Sequence, residues 1–182
     1  MKALTSAILL AAVTACGSSV AASPPASTPT TAASSHQFNP TDLAWIQLMV
    51  PMDEQLLRVL AIAEKQAADP AVRAFATQLA AGHRAELAQF VALRARAGAP
   101  TANAHEGHDM PGMMTEPEIA ALEKTSGAAF DQLFQKNLKE HLDQSIVVAR
   151  SITKSGQEPS TKKLAASIAA SRAAQLKQLE AP

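Results

Sequence analysis

Apolar residues recur at steps of three and four along several stretches of this chain, which is the spacing of one face of an α-helix. The first stretch spans residues 40–66 and contains Pro51. An interior proline costs a helix about 3 kcal/mol, so this helix either kinks at Pro51 or begins there. Its predicted apolar face consists of Trp45, Leu48, Met49, Met52, Leu56, Val59, Leu60 and Ala63.

Three further long helices and one short helix are predicted, and most have clear start signals. Asp69 and Pro70 are residues preferred at an N-cap and at the first helical position, and residues 115–118 have the spacing of a capping box. A long helix follows Gly127, and the last runs from about Ser160 to Glu180. The second helix has its stripe at Val72, Phe75, Ala76, Leu79, His83, Glu86 or Leu87, and Phe90.

The two halves of the chain form an internal repeat. A shift of 89 positions aligns Asp42 with Asp131 and Gln55 with Gln144, and it aligns the start of the second helix with the start of the last. Two helical hairpins, each with one apolar stripe, bury those stripes by packing together. The sequence therefore predicts an all-α protein, an antiparallel four-helix bundle of two pseudo-repeated hairpins joined by a crossover with a short extra helix.

Composition and charge agree with a helical protein that does not bind nucleic acid. Alanine is abundant, aromatic residues make up 3% of the chain, and tyrosine is absent, which favours helices over strands. Sixteen basic and sixteen acidic residues give a formal net charge of zero, and no basic run is longer than a pair. Binding driven by the release of counterions from nucleic acid needs a basic surface.

The N-terminus has the pattern of a targeting segment. Lys2 precedes an apolar run that is too short to span a bilayer, and the run ends in Val13-Thr14-Ala15-Cys16, which resembles a bacterial lipobox. Cys16 is the only cysteine and cannot form an internal disulfide. We expect residues 1–15 to be a lipoprotein signal peptide. The alternative is an ordinary secretory signal.

A lipidated Cys16 would hold the protein on the outer face of a bacterial membrane through its lipid alone. Residues 16–37 are rich in Ser, Thr, Ala and Pro and predict a flexible tether. His36 lies in this tether, and no role is expected for it. The folded domain is predicted over residues 38–182.

The predicted crossover contains a cluster of metal-ligating side chains in the sequence HEGHDMPGMMT, residues 105–115. Thioether and imidazole groups suit copper, above all Cu(I). The candidate ligands are His105, His108, Met110, Met113 and Met114. The alternative is a solvated linker whose methionines fill gaps against the bundle.

A second candidate site lies on the predicted helices, where polar residues interrupt the apolar stripes. Its members are Met49, Met52, His83, Glu86 and His141, which fall on inward faces of three helices. The alternative is that each histidine is a hydrogen-bonded core residue. Asp53 and Asp143 are interpreted as solvated or partnered charges.

Several segments of the predicted bundle are distinctive: LMVPM, AFATQLAAGHRAEL, MPGMMT, and GAAFDQLF followed by a histidine. Together they resemble domain-of-unknown-function family 305. A weaker similarity is to ferritin-like family 4142. The resemblance to family 305 implies a ferritin-like helical bundle, secreted or lipid-anchored, with copper binding among its members. It also implies paired histidines on two long helices, but this chain has Met52-Asp53 at the first pair and Leu142 after His141, so an inherited core site would be depleted.

Enzymatic motifs are not found. A di-iron bundle needs Glu-x-x-His on two helices, and the nearest match is the reversed order of His83 and Glu86. No nucleophile triad order, phosphate loop or dinucleotide fingerprint occurs. We therefore expect a lipid-anchored copper-binding protein for tolerance, buffering or delivery. The alternative is a bundle without metal that acts as an envelope interaction or structural module with a protein partner.

Overall fold

A computed structural model describes residues 38–180, which form five α-helices. These are α1 (Pro40–Gln66), α2 (Pro70–Arg96), α3 (Glu116–Lys124), α4 (Gly127–Ser155) and α5 (Pro159–Leu179). Helices α1 and α2 pack as one hairpin, α4 and α5 pack as a second, and α1 also packs against α4. The predicted all-α architecture of two hairpins and a short extra helix is confirmed. The predicted signal peptide, Cys16 and the tether with His36 lie outside the described residues.

The helix starts follow the local signals in the sequence. Asp69 accepts a hydrogen bond from the N–H of Ala71 at 2.7 Å and Pro70 is the first residue of α2. The predicted capping box of α3 is present between Thr115 and Glu118. Helix α1 begins at Pro40 and continues through the buried Pro51, so a helix start at Pro51 is excluded.

The repeat is visible as a pair of equivalent contacts at one end of each hairpin. Asp131 on α4 accepts hydrogen bonds from the N–H groups of Ala68 and Asp69, at 3.0 and 2.9 Å, between α1 and α2. Asp42 on α1 accepts equivalent bonds from the N–H groups of Gln157 and Glu158 between α4 and α5. Each hairpin therefore ties down the turn of the other.

The crossover between α2 and α4 is held against the bundle at its C-terminal end. The amide of Gln55 donates to the carbonyl of Met114 at 2.6 Å and accepts from its N–H at 2.7 Å. Gly112 has a φ of +79°, and a Cβ there would lie 2.6 Å from the Cβ of Gln144. The segment from Gly112 to Met114 is called the strap below.

No helix among residues 38–180 is both long and apolar enough to cross a membrane.

Candidate metal centre

A cluster of polar and charged side chains lies inside the bundle, where the four long helices meet. Helix α1 supplies Asp53, α2 supplies His83 and Glu86, α4 supplies His141, and α5 supplies Arg172. All five side chains are buried. A buried charge is costly unless it is paired or binds an ion, so this cluster requires a physical explanation.

Three of these residues converge as a group of candidate metal ligands. Asp53, His83 and His141 each offer one ligand atom, and the three atoms lie within 4.8 Å of one another. Among residues 38–180, this is the one such group of His, Cys, Asp and Glu side chains. The imidazole rings of His83 and His141 are 5.8 Å apart between centroids, and their planes are inclined at 63° to one another.

Hydrogen bonds orient both imidazoles. Nδ1 of His141 lies 3.1 Å from the carbonyl oxygen of Gly112. A carbonyl only accepts, so Nδ1 donates its proton and Nε2 keeps a free lone pair. Nδ1 of His83 lies 2.8 Å from Oδ1 of Asp53. When Asp53 is ionised it accepts the proton of Nδ1, which leaves the lone pair on Nε2. Outer partners of this kind orient histidine ligands at metal sites.

Each of these three residues also has one ligand atom that makes no hydrogen bond within residues 38–180. Nε2 of His83, Nε2 of His141 and Oδ2 of Asp53 are buried and have no hydrogen-bond partner in the part of the chain that the structure describes. Buried polar atoms are usually partnered because an unsatisfied one costs about 1–3 kcal/mol. Two imidazole nitrogens and a carboxylate oxygen form a donor set suited to copper. The residues present therefore fit a metal ion.

Arg172 and Glu86 form an ion pair at the edge of this group. Nη2 of Arg172 lies 2.7 Å from Oε2 of Glu86, 3.3 Å from Nδ1 of His83 and 3.7 Å from Oδ1 of Asp53. The Arg172 side chain is 1% exposed. A permanent positive charge thus lies against two of the three candidate ligands.

Burial shifts these ionisable groups towards their neutral forms. It raises the pKa of Asp53 to about 7, although Arg172 opposes the shift. Burial and then Arg172 lower the pKa of His83 to about 3. Burial, with His83 and Arg172, holds the pKa of His141 well below its ordinary value, and burial raises the pKa of Glu86. Both imidazoles are therefore neutral at pH 7, the form that binds metals.

The structure places the helix residues named from the sequence in the core and brings two of them together. His83 and His141 share the ligand group, and Glu86 reaches it through Arg172. Met49 and Met52 are buried in a neighbouring apolar cluster with Trp45. No thioether contact with the ligand group is described for them, and their role as ligands stays a prediction.

The loop residues named from the sequence lie on the outside. His108 is exposed, while His105 and Met110 are partly exposed. Met113 and Met114 pack against the two apolar clusters of the bundle, as the gap-filling alternative expects. They also line a cavity of about 30 Å³ that borders His141, which is room for about one water. Metal binding by the loop itself stays a prediction.

The sequence did not place Asp53 or Arg172 in the site, although each left a signal. Asp53 follows Met49 by four positions and precedes Leu56 by three, so it lies in the apolar stripe of α1. The shift of 89 positions aligns Arg172 with His83. Asp53 is buried and lies 2.8 Å from Nδ1 of His83, so it is not a solvated charge. Asp143 is exposed and pairs with Lys139 at 2.7 Å.

Two solved structures of bacterial proteins have the same fold as this chain. A domain-of-unknown-function 305 fragment from Deinococcus radiodurans has a TM-score of 0.72 and 21% identity, covering 79% of this chain and 95% of that chain. A domain-of-unknown-function 305 protein from Streptomyces coelicolor has a TM-score of 0.69 and 18% identity, covering 76% of this chain and 89% of that chain. At these identities the likeness establishes the fold.

A third relative in structure is CopM, which has been solved with metal ions. Its Cu(II)-bound form has a TM-score of 0.65 and 21% identity, covering 76% of this chain and 93% of that chain. Other forms of CopM hold Cu(I) and silver. No curated protein matches this chain. A family model matches residues 42–182, most of the chain, and the protein therefore belongs to the family described as domain of unknown function 305.

Proposed function

We propose that this protein binds copper as cargo outside the cytoplasm, at the buried group formed by Asp53, His83 and His141. The observation that supports it most is that each of these residues has a buried ligand atom without a hydrogen-bond partner among the described residues. A cluster that served only to fill the core would be expected to satisfy those atoms. The binding of copper by CopM, which shares the fold, gives the metal.

The proposed ligands can bind copper, and the proposed role does not involve catalysis. Imidazole nitrogen binds both oxidation states of copper, and a carboxylate oxygen tolerates Cu(II) as well. His83 binds through Nε2 only when its proton is on Nδ1, where Asp53 accepts it. The chain also lacks the Glu-x-x-His pairs of a di-iron enzyme. The proposed role is binding and transfer for copper tolerance, buffering or delivery.

The crossover supplies a route between solvent and this site. Met113 and Met114 line the cavity that borders His141, and thioethers bind Cu(I) well while exchanging it readily. His105, His108 and Met110 extend the same ligand types outwards along the loop. The loop would capture the ion and the histidines would hold it.

The location proposed for this activity is the outer face of a bacterial membrane. Its support is the sequence Val13-Thr14-Ala15-Cys16, which has the lipobox pattern, followed by the Ser- and Pro-rich residues 17–37. Labelling of cells with a radioactive or clickable fatty acid tests this point. Label in the wild type and none in a Cys16→Ser variant supports the anchor.

A competition titration with Cu(I) and a chromophoric chelator tests the binding site. The protein is residues 17–182, and two variants are compared with it. One has Asp53→Asn and His141→Asn, and the other has Met110, Met113 and Met114 all changed to Leu. The far-ultraviolet circular dichroism of each variant checks that it folds.

The expected result is tight binding of one ion in the wild type, lost in the Asp53/His141 variant and retained in the methionine variant. Binding lost in the methionine variant alone moves the site to the loop. Binding by none of the three contradicts the proposal and leaves the alternative, a bundle without metal that serves as an envelope interaction or structural module.

A further inference from the structure

We infer that Arg172 fixes the charge of the buried site so that it prefers a monovalent soft cation, Cu(I) or Ag(I), over a divalent one. The inference rests on the metal-binding function proposed above and adds to it the valence of the ion and the residue that selects it. Arg172 itself has no lone pair to offer a metal. It would act on the ion through its charge.

The net charge of the buried cluster is small and negative when its carboxylates are ionised. The described members are the carboxylates of Asp53 and Glu86, the guanidinium of Arg172 and two imidazoles that must be neutral to bind a metal. With both carboxylates ionised, the cluster has a net charge of −1. A monovalent ion makes it neutral, whereas a divalent ion leaves a net charge of +1 inside the bundle, where an uncompensated charge is costly.

Arg172 lies close enough to the candidate ligands to repel an ion bound to them. Its Nη2 atom lies 3.3 Å from Nδ1 of His83 and 3.7 Å from Oδ1 of Asp53. These two residues are candidate ligands, so any ion they bind lies close to the guanidinium. The Arg172 side chain is 1% exposed, so solvent screens this repulsion little. A guanidinium remains charged in proteins, and the repulsion is therefore permanent.

Arg172 also breaks the chemical symmetry of the repeat. It is the equivalent of His83 in the second hairpin. A symmetric bundle would present a second imidazole from α5, but this chain presents a fixed cation there. Compared with a bundle that had a histidine at this position of α5, the site has one ligand fewer and one positive charge more. Both differences disfavour divalent ions, which are usually bound by more ligands and more negative charge.

Three variants of residues 17–182 test the inference by changing the charge count in opposite directions. Arg172→Met makes the ionised cluster −2, Glu86→Gln makes it zero, and the double variant restores −1 without the ion pair. Dissociation constants are measured for Ag⁺ and Zn²⁺, whose valence does not change during a titration, at pH 8 where protons compete less. Circular dichroism of each metal-free variant checks its folding.

The ratio of the Zn²⁺ affinity to the Ag⁺ affinity shows whether Arg172 selects the valence of the ion. Arg172→Met should raise this ratio on the order of a hundredfold, because a unit charge a few ångströms away acts twice as strongly on a divalent ion. Glu86→Gln should lower it by a similar factor. The double variant should return it to within roughly tenfold of the wild type, because the charge count is restored.

Failure of this inference differs from failure of the proposed function. If the wild type binds Ag⁺ and the ratio stays constant in the variants, Arg172 does not select valence, although the metal site stands. If the wild type binds neither ion, the proposed function is contradicted and the inference with it. Should Arg172→Met fail to fold, Glu86→Gln and the double variant decide. In Glu86→Gln the guanidinium still has Asp53 at 3.7 Å, and in the double variant the guanidinium and the carboxylate that pairs with it are removed together.

Discussion

His83 and Arg172 occupy equivalent positions in the two hairpins, and their side chains meet at 3.3 Å inside the bundle. The repeat therefore brings corresponding residues of α2 and α5 together near its pseudo-two-fold axis. The two halves have kept the backbone and changed the chemistry at this point. One half presents a neutral nitrogen donor and the other a permanent cation.

Replacing Asp53 with Asn should separate metal affinity from stability. Oδ2 of Asp53 is buried without a hydrogen-bond partner among residues 38–180, and burial raises the pKa of Asp53 to about 7. A neutral side chain of the same shape should therefore leave the metal-free protein at least as stable. Loss of the carboxylate should weaken copper binding by roughly tenfold or more. Thermal unfolding of the metal-free protein and a chelator competition measure the two effects.

The matched control for this change is Asp143→Asn, because Asp143 is exposed and pairs with Lys139 on the surface of α4. Neither the copper affinity nor the thermal stability should change in Asp143→Asn, since surface ion pairs contribute little to stability. A copper affinity that Asp53→Asn leaves intact would show that the carboxylate is not a ligand.

The helices could be predicted from the sequence because their determinants are local. Asp69-Pro70 and the spacing of Thr115 and Glu118 specify helix starts within a few residues, and the start of α5 was placed within one residue of Pro159. Pro51 left two possibilities open. The packing of α1 decided between them, because the buried face of the helix extends on both sides of Pro51.

The site was harder to predict because its members meet only through tertiary packing. Asp53 and His83 are 30 residues apart, and His83 and Arg172 are 89 apart. A sequence shows that Asp53 lies in an apolar stripe, but not that α2 and α5 bring partners to it. The loop methionines are the opposite case, because they are close together in the sequence and therefore easily recognised as a cluster. In the structure, Met113 and Met114 pack against separate apolar clusters.

Gln55→Leu should release the strap. The amide of Gln55 makes two hydrogen bonds with the backbone of Met114, and leucine leaves both backbone groups without these partners. We expect a loss of about 1–3 kcal/mol in the free energy of unfolding and faster hydrogen exchange at the amide of Met114. Gln132→Leu, on the exposed surface of α4, is the control and should change neither. Unchanged exchange at Met114 in the Gln55 variant would contradict the role given to this amide.

Gly112→Ala tests whether the strap needs a close approach as well as a left-handed backbone. Gly112 and Gly107 both have positive φ, +79° and +75°, but only at Gly112 would a Cβ meet a neighbour, Gln144 at 2.6 Å. Alanine costs about 1–2 kcal/mol at either position from its backbone alone. Gly112→Ala should destabilise the protein more than Gly107→Ala, as measured by urea denaturation, and should weaken the hydrogen bond from His141. Equal losses in the two variants would show that contact with Gln144 is not limiting.

Glu158 should make the stability of the second hairpin depend on acidity. Burial alone would raise the pKa of Glu158, but hydrogen bonds from Thr161, Ser160 and Arg96 together lower it below its ordinary value of 4.5. The unfolded chain therefore takes up the proton first, and the stabilisation is complete above pH 4.5 and is lost as the pH falls below it. Glu158→Gln should be less stable than the wild type by about 1 kcal/mol at pH 7, the usual value of such a helix cap, and the difference should shrink by pH 3.5. Denaturation by urea at both pH values measures this, with Glu54→Gln on the exposed face of α1 as the control. A difference that is the same at both pH values would mean that the side chain of Glu158 acts through its shape and not its charge.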